Sequence, residues 1–386
     1  MGRRVLNLLL LTIILFSFST GQYGCECTNQ TGRAKWTFMV FMNGDNDLER
    51  WADSDLDEMK SVNSTNDVNI IVQLDRYYTN GAWRYRVLHK YLQEVWSTDT
   101  ELDSSSPDTL EDFVTWTIAN YPADHYALII WNHGGGWKRK TLGLRGISYD
   151  VTSEGYMTMV QLKSALSQVG RRIEVLGMDA CLMAMIEVAY QVKDYADYLV
   201  GSEASEPIEG WPYDDILSEL VSNPEMSPST LASTIVNKYG IRYNSWSNVT
   251  LSAIDLSKIS NLKDACNNLA LALNTNMSRY KTEIQKAIAN TEFYDYSDFR
   301  DLYHFAQNIY NSINDPSVYT PADNVMSNVD SAVIAEWHSS NLAYSHGISV
   351  WLPDSSRYNS YYSLYKSLDF ATDTYWDEFL GALYSN

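Results

Sequence analysis

The sequence predicts an α/β protein, a three-layer α/β/α sandwich with a mainly parallel sheet and a mostly helical C-terminal extension. Three observations predict it. Up to about Asp255, apolar runs of strand length alternate with segments whose apolar residues recur at helical spacing. The central runs are apolar at nearly every position, as strands covered by helices on both faces must be. Beyond Asp255 long helical patterns rich in Asn, Ser and Tyr take over, running to about Asn314.

Taken in order, Trp36–Met42 (WTFMVFM) is a nearly all-apolar strand, and Asn43-Gly44-Asp45 stops it and can cap a helix. Leu48, Trp51, Leu56 and Met59 then recur at roughly helical spacing. Val68–Leu74 is the next strand, ending at Asp75, and the alternation in Trp83–Tyr91 suits a strand toward an edge. Ser104-Ser105-Ser106-Pro107 opens a helix through Ile118. Tyr126–Asn132 reads as a central strand and Met157–Leu166 as a helix. Ile173–Leu176 is another strand, Leu182–Tyr195 a helix and Tyr198–Gly201 one more short strand. In the extension, Ser331–Trp337 and Gly347–Pro353 read as strands returning to the sheet, and Tyr361–Tyr384 as a final helix. No internal repeat or long linker interrupts the chain.

The N-terminus has the order of a secretory signal: Arg3 and Arg4, the apolar run Val5–Phe18, then Ser19, Thr20 and Gly21. That run falls short of the ~20 residues that span a bilayer, and no other stretch is a candidate span. The expected organisation is a signal over 1–21, a tether over 22–34, a catalytic domain over 35–255 and the extension over 256–386. The protein is then extracellular or held at the cell surface through its N-terminus. Cys25 after Gly24 suggests lipid attachment, although Gln22 and Tyr23 are poor residues ahead of a lipidated cysteine. Asn-x-Ser/Thr sequons at Asn29, Asn63, Asn248 and Asn276 say little by themselves.

A formal charge of −20 argues against nucleic acid and anionic membranes as partners, and it favours cationic substrates. Four cysteines do not make a disulfide framework. Cys25 and Cys27 sit in the tether, and Cys266 lies among apolar positions at helical spacing, where a buried inert thiol is expected. Only Cys181 sits where a thiol could react. Zinc-ligand spacings, phosphate cradles and dinucleotide fingerprints are all missing, so no metal ligand is assigned.

Two segments stand out. Tyr126–Trp137 (YALIIWNHGGGW) ends an apolar strand in His133 and three glycines. Ile173–Met183 (IEVLGMDACLM) ends another in Asp179, Ala180 and Cys181. Ligands of open α/β sheets bind outside the carboxyl ends of the strands. A thiol and an imidazole delivered there suggest a cysteine nucleophile with its base, with the amides of Gly134 and Cys181 binding the oxyanion. One competing reading is an esterase that uses the His-Gly-Gly-Gly turn as its oxyanion hole. It lacks a Gly-x-Ser-x-Gly elbow; Gly146-Ile147-Ser148-Tyr149-Asp150 has no closing glycine, and His346 would have to be the late base.

At His-Gly and Asp-Ala-Cys, each behind an apolar strand, the sequence resembles the clostripain family of cysteine peptidases. That family shares the caspase–gingipain–legumain type of fold. The likeness extends over Trp36–Glu49, Val68–Asp75, Asp150, Gly201–Tyr213 (GSEASEPIEGWPY) and Gly347–Pro353, covering Trp36 to Asp255 well and the last third loosely. The resemblance implies Cys181 as nucleophile and His133 as base. It makes Asp179 the acidic floor of a pocket for Arg or Lys before the cleaved bond, a charge-assisted match. Ser202, Glu203, Ser205 and Trp211 would form the wall of that pocket. Asp179 would otherwise cap the following helix. The resemblance further implies peptide or protein substrates and self-cleavage between the catalytic blocks, with Lys140 and Arg145 the candidate sites. Calcium is the one cofactor it admits. No recognisable calcium loop is present, and Asp45-Asn46-Asp47 is explained as well by a helix N-terminus. A caspase-like scaffold without activity, binding a partner, is the non-enzymatic alternative.

Overall fold

Alternation along the apolar strands divides their side chains between two cores. Residues 33–139 and 145–384 are described by the computed structural model, with Arg139 and Arg145 as backbone only. In chain order the strands are β1 (Ala34–Gly44), β2 (Val68–Arg76), β3 (Ala82–Leu88), β4 (Tyr91–Thr98), β5 (Ala123–Trp131), β6 (Gly134–Arg139) and β7 (Arg145–Asp150). Then come β8 (Gly155–Met157), β9 (Ile173–Asp179), β10 (Ala196–Gly201), β11 (Thr250–Asp255), β12 (Phe299–Asp301), β13 (Val333–His338) and β14 (Ser349–Trp351). Nine of them form one sheet in the order β13-β11-β10-β9-β5-β1-β2-β3-β4. Its centre, β10-β9-β5-β1-β2, is parallel, and both ends are antiparallel.

In β1, Trp36, Phe38, Val40 and Met42 enter one core while Met39 and Phe41 enter the other; β5 splits Ala127, Ile129 and Trp131 from Tyr126, Leu128 and Ile130. The first core is closed by α1 (Glu49–Val62) and, later in the chain, by α5 (Tyr213–Ser222) and α6 (Pro228–Arg242). The second is closed by α2 (Pro107–Asn120), α3 (Met159–Gln168) and α4 (Ile186–Val192). This is the three-layer α/β/α arrangement expected from the sequence. Side chains start several helices: Ser106 accepts from the Asp108 amide ahead of α2, and Thr158 and Gln161 form a capping box on α3.

The extension is built of α7 (Ile259–Thr275), α8 (Met277–Asn290), α9 (Leu302–Ser312), α10 (Pro316–Ala332), α11 (Ser355–Tyr365), α12 (Asp369–Thr372) and α13 (Trp376–Tyr384). Its apolar faces continue the second core, with Cys266 fully buried. The final helix expected over Tyr361–Tyr384 is three helices. Of the two strands expected to return to the sheet, only β13 does so; β14 pairs with β12 in a separate two-stranded sheet. The strand near Trp83–Tyr91 is one arm of an edge hairpin, β3–β4. No described helix is long and apolar enough to cross a membrane. The expected signal, the tether up to 32, Cys25, Cys27, Asn29 and Lys140 lie outside the described residues.

Candidate active site

Register brings the two chemical segments together. Strands β5 and β9 are parallel neighbours with Trp131 opposite Asp179, and the Asn132 amide donates to the Asp179 carbonyl at 3.2 Å. His133 and Cys181 each stand two residues past that pair, at the carboxyl ends of strands only about 4.8 Å apart. Both line a cleft of about 270 Å³, with Leu48, Ser205, Glu206 and Ile208 around them.

The imidazole is oriented by Asp47, whose Oδ1 lies 2.7 Å from His133 Nε2. An Nε2–H donated to that carboxylate leaves the lone pair on Nδ1, free to act as the base. Cys181 is half-buried, and the Glu206 amide donates to its Sγ at 3.3 Å. Burial pushes the thiol above its ordinary range, partly offset by hydrogen bonds from the Glu206 amide and Ser205. Gly134 presses directly on this loop: a Cβ there would lie 2.2 Å from the Cys181 carbonyl and 2.9 Å from its amide nitrogen. Only glycine lets the start of β6 approach the Cys181 backbone so closely.

The helix expected over Leu182–Tyr195 begins only at Ile186. Leu182 takes a left-handed conformation (φ 66°), and Met185 is bridged to Ser349. Asp179 therefore caps no helix. Its Oδ2 accepts from the Tyr213 hydroxyl at 2.8 Å and the Trp211 amide at 3.2 Å, and it lies at the floor of the cleft. Burial raises its carboxyl to about 6, against hydrogen bonds from Glu206, Tyr213 and the Trp211 amide. Burial and the neighbouring Asp179 push Glu206 well above the carboxylate range. The same two causes raise Asp55, which lies on the buried face of α1 and accepts from Trp131 Nε1 at 2.6 Å. Gly210, at φ 67°, sits where a Cβ would fall 2.9 Å from Asp55 Oδ2 and 3.3 Å from Asp179 Oδ2. Three carboxyl groups thus share one corner of the cleft, and Glu206 Oε1 has no donor. Among the described residues no ion pair ends on any of them.

The wall residues divide. Ser205 lines the cleft, and its amide donates to Asp295. Trp211 packs behind it: its buried ring covers Gly177, and its Nε1 donates to Glu206 at 3.1 Å. Ser202 and Glu203 do not line the cleft. Ser202 pairs with Thr250, and Glu203 accepts from the Gly347 amide, so both brace the loop from behind. The elbow that an esterase needs is absent too. Ser148 is fully buried with its hydroxyl on the Ser104 carbonyl, and His346 is held by Asp301.

A family model for the clostripain family matches residues 40–382. The chain belongs to the clostripain family. It is a cysteine-type endopeptidase of that family, and it is similar to clostripain of Hathewaya histolytica, 25% identical over 419 residues, covering 87% of this chain and 78% of the relative. Among solved structures it is similar to an inactive zymogen C11 protease from Parabacteroides distasonis, with a TM-score of 0.70 at 20% identity over 89% of this chain and 99% of that one. A secreted C11 cysteine protease from Bacteroides thetaiotaomicron, solved with an irreversible peptide inhibitor, gives a TM-score of 0.67 at 23% identity over 91% of this chain and 99% of that one. Both likenesses support the clostripain-family fold. Of the site residues, Asp47 and Asp55 join without a motif that announces them. Asp55 does leave a trace, since it lies three residues from Ala52 and four from Met59 on the buried face of α1.

Proposed function

We propose that the protein is a secreted endopeptidase that cleaves after Arg or Lys, with Cys181 as nucleophile and His133 as base. The single observation behind this reading is the cleft in which a thiol and an imidazole at paired strand ends lie beside a corner of three carboxyl groups that no cation meets among the described residues. His133 Nδ1 takes the thiol proton as Sγ attacks the peptide carbonyl. The amides of Gly134 and Cys181 hold the resulting oxyanion. His133 then protonates the leaving amine, and water hydrolyses the thioester. Asp179, with Glu206 and Asp55 behind it, receives the guanidinium or ammonium of the substrate, which displaces the proton those carboxyl groups share. Buried charges of one sign without a partner are costly, so a cationic side chain is the natural occupant.

The chain is also read as processing itself within 138–145. Lys138 is an unsuitable site, since its ammonium is buried against Asp298. Cleavage after Lys140 or Arg145 fits better. One intact-mass experiment tests these statements together. Wild type and Cys181→Ala are treated with thiol-reactive peptides ending in Lys, Arg or Asp. The expected result is one adduct on Cys181 with Lys or Arg only, and a nick in 138–145 in the wild type alone. Labelling of Cys266, or equal labelling by the Asp reagent, would sink the specificity assignment; an intact, fully active wild type would sink self-processing.

A further inference from the structure

A second cavity opens beside the catalytic cleft. Its volume is about 540 Å³, twice that of the cleft, and it is lined by Asp47, Glu49, Trp51 and Asp53 from the turn after β1 and from α1, and by Tyr78 from the β2–β3 turn. The two hollows share a wall. Leu48 lines the cleft while its neighbours Asp47 and Glu49 line the cavity, and Asp47 is the carboxylate that meets His133 Nε2 at 2.7 Å.

The cavity is a built one. Arg76, the last residue of β2, pairs with Asp53 at 2.5 Å and with Glu49 at 3.4 Å, and the Tyr78 amide donates to Glu49 Oε2 at 3.2 Å. These bonds hold the β2–β3 turn against α1. The acids of the lining thus have a cation of their own, and Arg50, also in the lining, adds another. What stands open is aromatic surface. Tyr78 is 83% exposed, Tyr77 at 42% packs edge-on against it with ring centroids 4.9 Å apart, and Trp51 is half-buried. Exposed apolar surface gathered beside a hollow marks a binding site, since an occupant that covers it removes that surface from water.

We propose that this cavity receives a large apolar or aromatic side chain from one of the first two residues after the cleaved bond, with Tyr78 and Trp51 selecting it. The direction of the substrate follows from the catalytic reading above, on which this inference rests. His133 protonates the leaving amine, so the chain beyond the bond departs on the imidazole side. The cation before the bond goes into the corner of Asp179 and Glu206, which line the cleft and not the cavity. Asp47 lies directly against the imidazole, and each extended residue advances a substrate by ~3.3 Å, so the first two residues beyond the bond are within reach of the cavity. Charge does not choose the occupant, because Asp47, Glu49 and Asp53 are largely offset by Arg50 and Arg76. Tyr78 is free to make the selection: its amide holds the turn, and its ring faces solvent.

The test compares substrates that share an Arg before the bond and differ only beyond it. One is a blocked arginine ethyl ester, which carries only an ethyl group there. The others are internally quenched peptides with Ala-Ala, Phe-Ala, Ala-Phe, Asp-Ala or Ala-Asp after the Arg. Full-length wild type should cut at least one Phe peptide about tenfold faster in kcat/KM than the Ala-Ala peptide, the scale set by filling an apolar pocket. Tyr78→Ala should erase that gain and Tyr78→Phe should keep it, while both leave ester hydrolysis unchanged. A merely structural role for the turn would instead lower ester and peptides alike, which would overturn the inference. Trp51→Leu, which keeps bulk at the half-buried position, should also reduce the gain and provides a second variant should Tyr78→Ala fail to fold. No gain from Phe at either position, a gain that survives in Tyr78→Ala, or a stronger preference for Asp would overturn the inference with ester hydrolysis intact. A wild type that leaves the ester uncut would overturn the catalytic reading, and the inference with it.

Discussion

Burial pushes the Cys181 thiol up, so at neutral pH it rests protonated, and a thiol is a far weaker nucleophile than a thiolate. In the proposed mechanism attack therefore depends on His133, with Asp47 fixing which imidazole nitrogen is available. The corner carboxyl groups give two sharper expectations. Asp179→Asn keeps the acceptor for Tyr213 but removes the charge proposed to meet the substrate cation. It should lower kcat/KM on Lys and Arg substrates by roughly a hundredfold, about 3 kcal/mol, and narrow the gap to neutral ones. An unchanged preference would place the counter-charge on Glu206. Asp55→Asn separates charge from shape. Asp55 is raised by burial and by Asp179, so the folded state holds its proton more tightly than the unfolded state does. Its contribution to stability is present below the unfolded value of ~3.9 and is lost as pH rises through the folded one. Asp179, raised to about 6, loses its contribution between pH ~4 and 6. Asn at 55 still accepts from Trp131 and stays neutral. Its unfolding midpoint should match wild type near pH 4 and exceed it by a few degrees at pH 8; a lower midpoint at pH 8 would contradict the like-charge account.

At the level of elements, the site is made by two strand ends and the glycine-rich β6 that folds over them. The contact between Gly134 and the Cys181 backbone leaves no room for a methyl group. Gly134→Ala should cost at least ~100-fold in kcat, the scale of losing one oxyanion donor, and lower the unfolding midpoint as well. Full activity in that variant would remove the Gly134 amide from the mechanism. Strands β1, β2, β5 and β9 were legible because each is an apolar run ending in small or polar residues, and His133 and Cys181 were legible because they stand at such ends. Other elements left weaker traces. Leu182–Met185 is apolar throughout and reads as helix, yet it is buried in irregular backbone held by Ser202, Ala204 and Ser349. Glycines 134–136 read as a turn, whereas they begin β6, whose pairing with β7 depends on a partner across the 140–144 segment. Asp55 was hidden because a lone acid in a helical apolar stripe looks like a solvated position until the facing Trp131 and Asp179 are placed.

Over the whole molecule, both cores converge on the active site. Trp131, Trp211 and Tyr213 support the carboxyl corner from the first core, and Trp137 and Met185 hold the glycine strand and nucleophile loop from the second. The extension continues that second core, and Trp137 packs against Trp351 and Tyr365, with ring centroids 5.0 Å apart in each pair. Its strand β14 also accepts the Met185 bridge beside the nucleophile loop, so the helical third is part of the scaffold that holds the site. Fold class, the three layers and the two chemical segments could be read from local pattern. The paths of β13 and β14 depend on contacts far apart in sequence, which periodicity does not report. The most direct test of the central claim is to map by mass spectrometry every bond cut when the purified enzyme digests a mixture of unfolded proteins. Cleavage should fall after Lys and Arg alone, and should vanish with Cys181→Ala and nearly so with His133→Ala, because members of a unit that acts together are each indispensable. Cuts spread over neutral residues, or undiminished cutting by Cys181→Ala, would contradict the account.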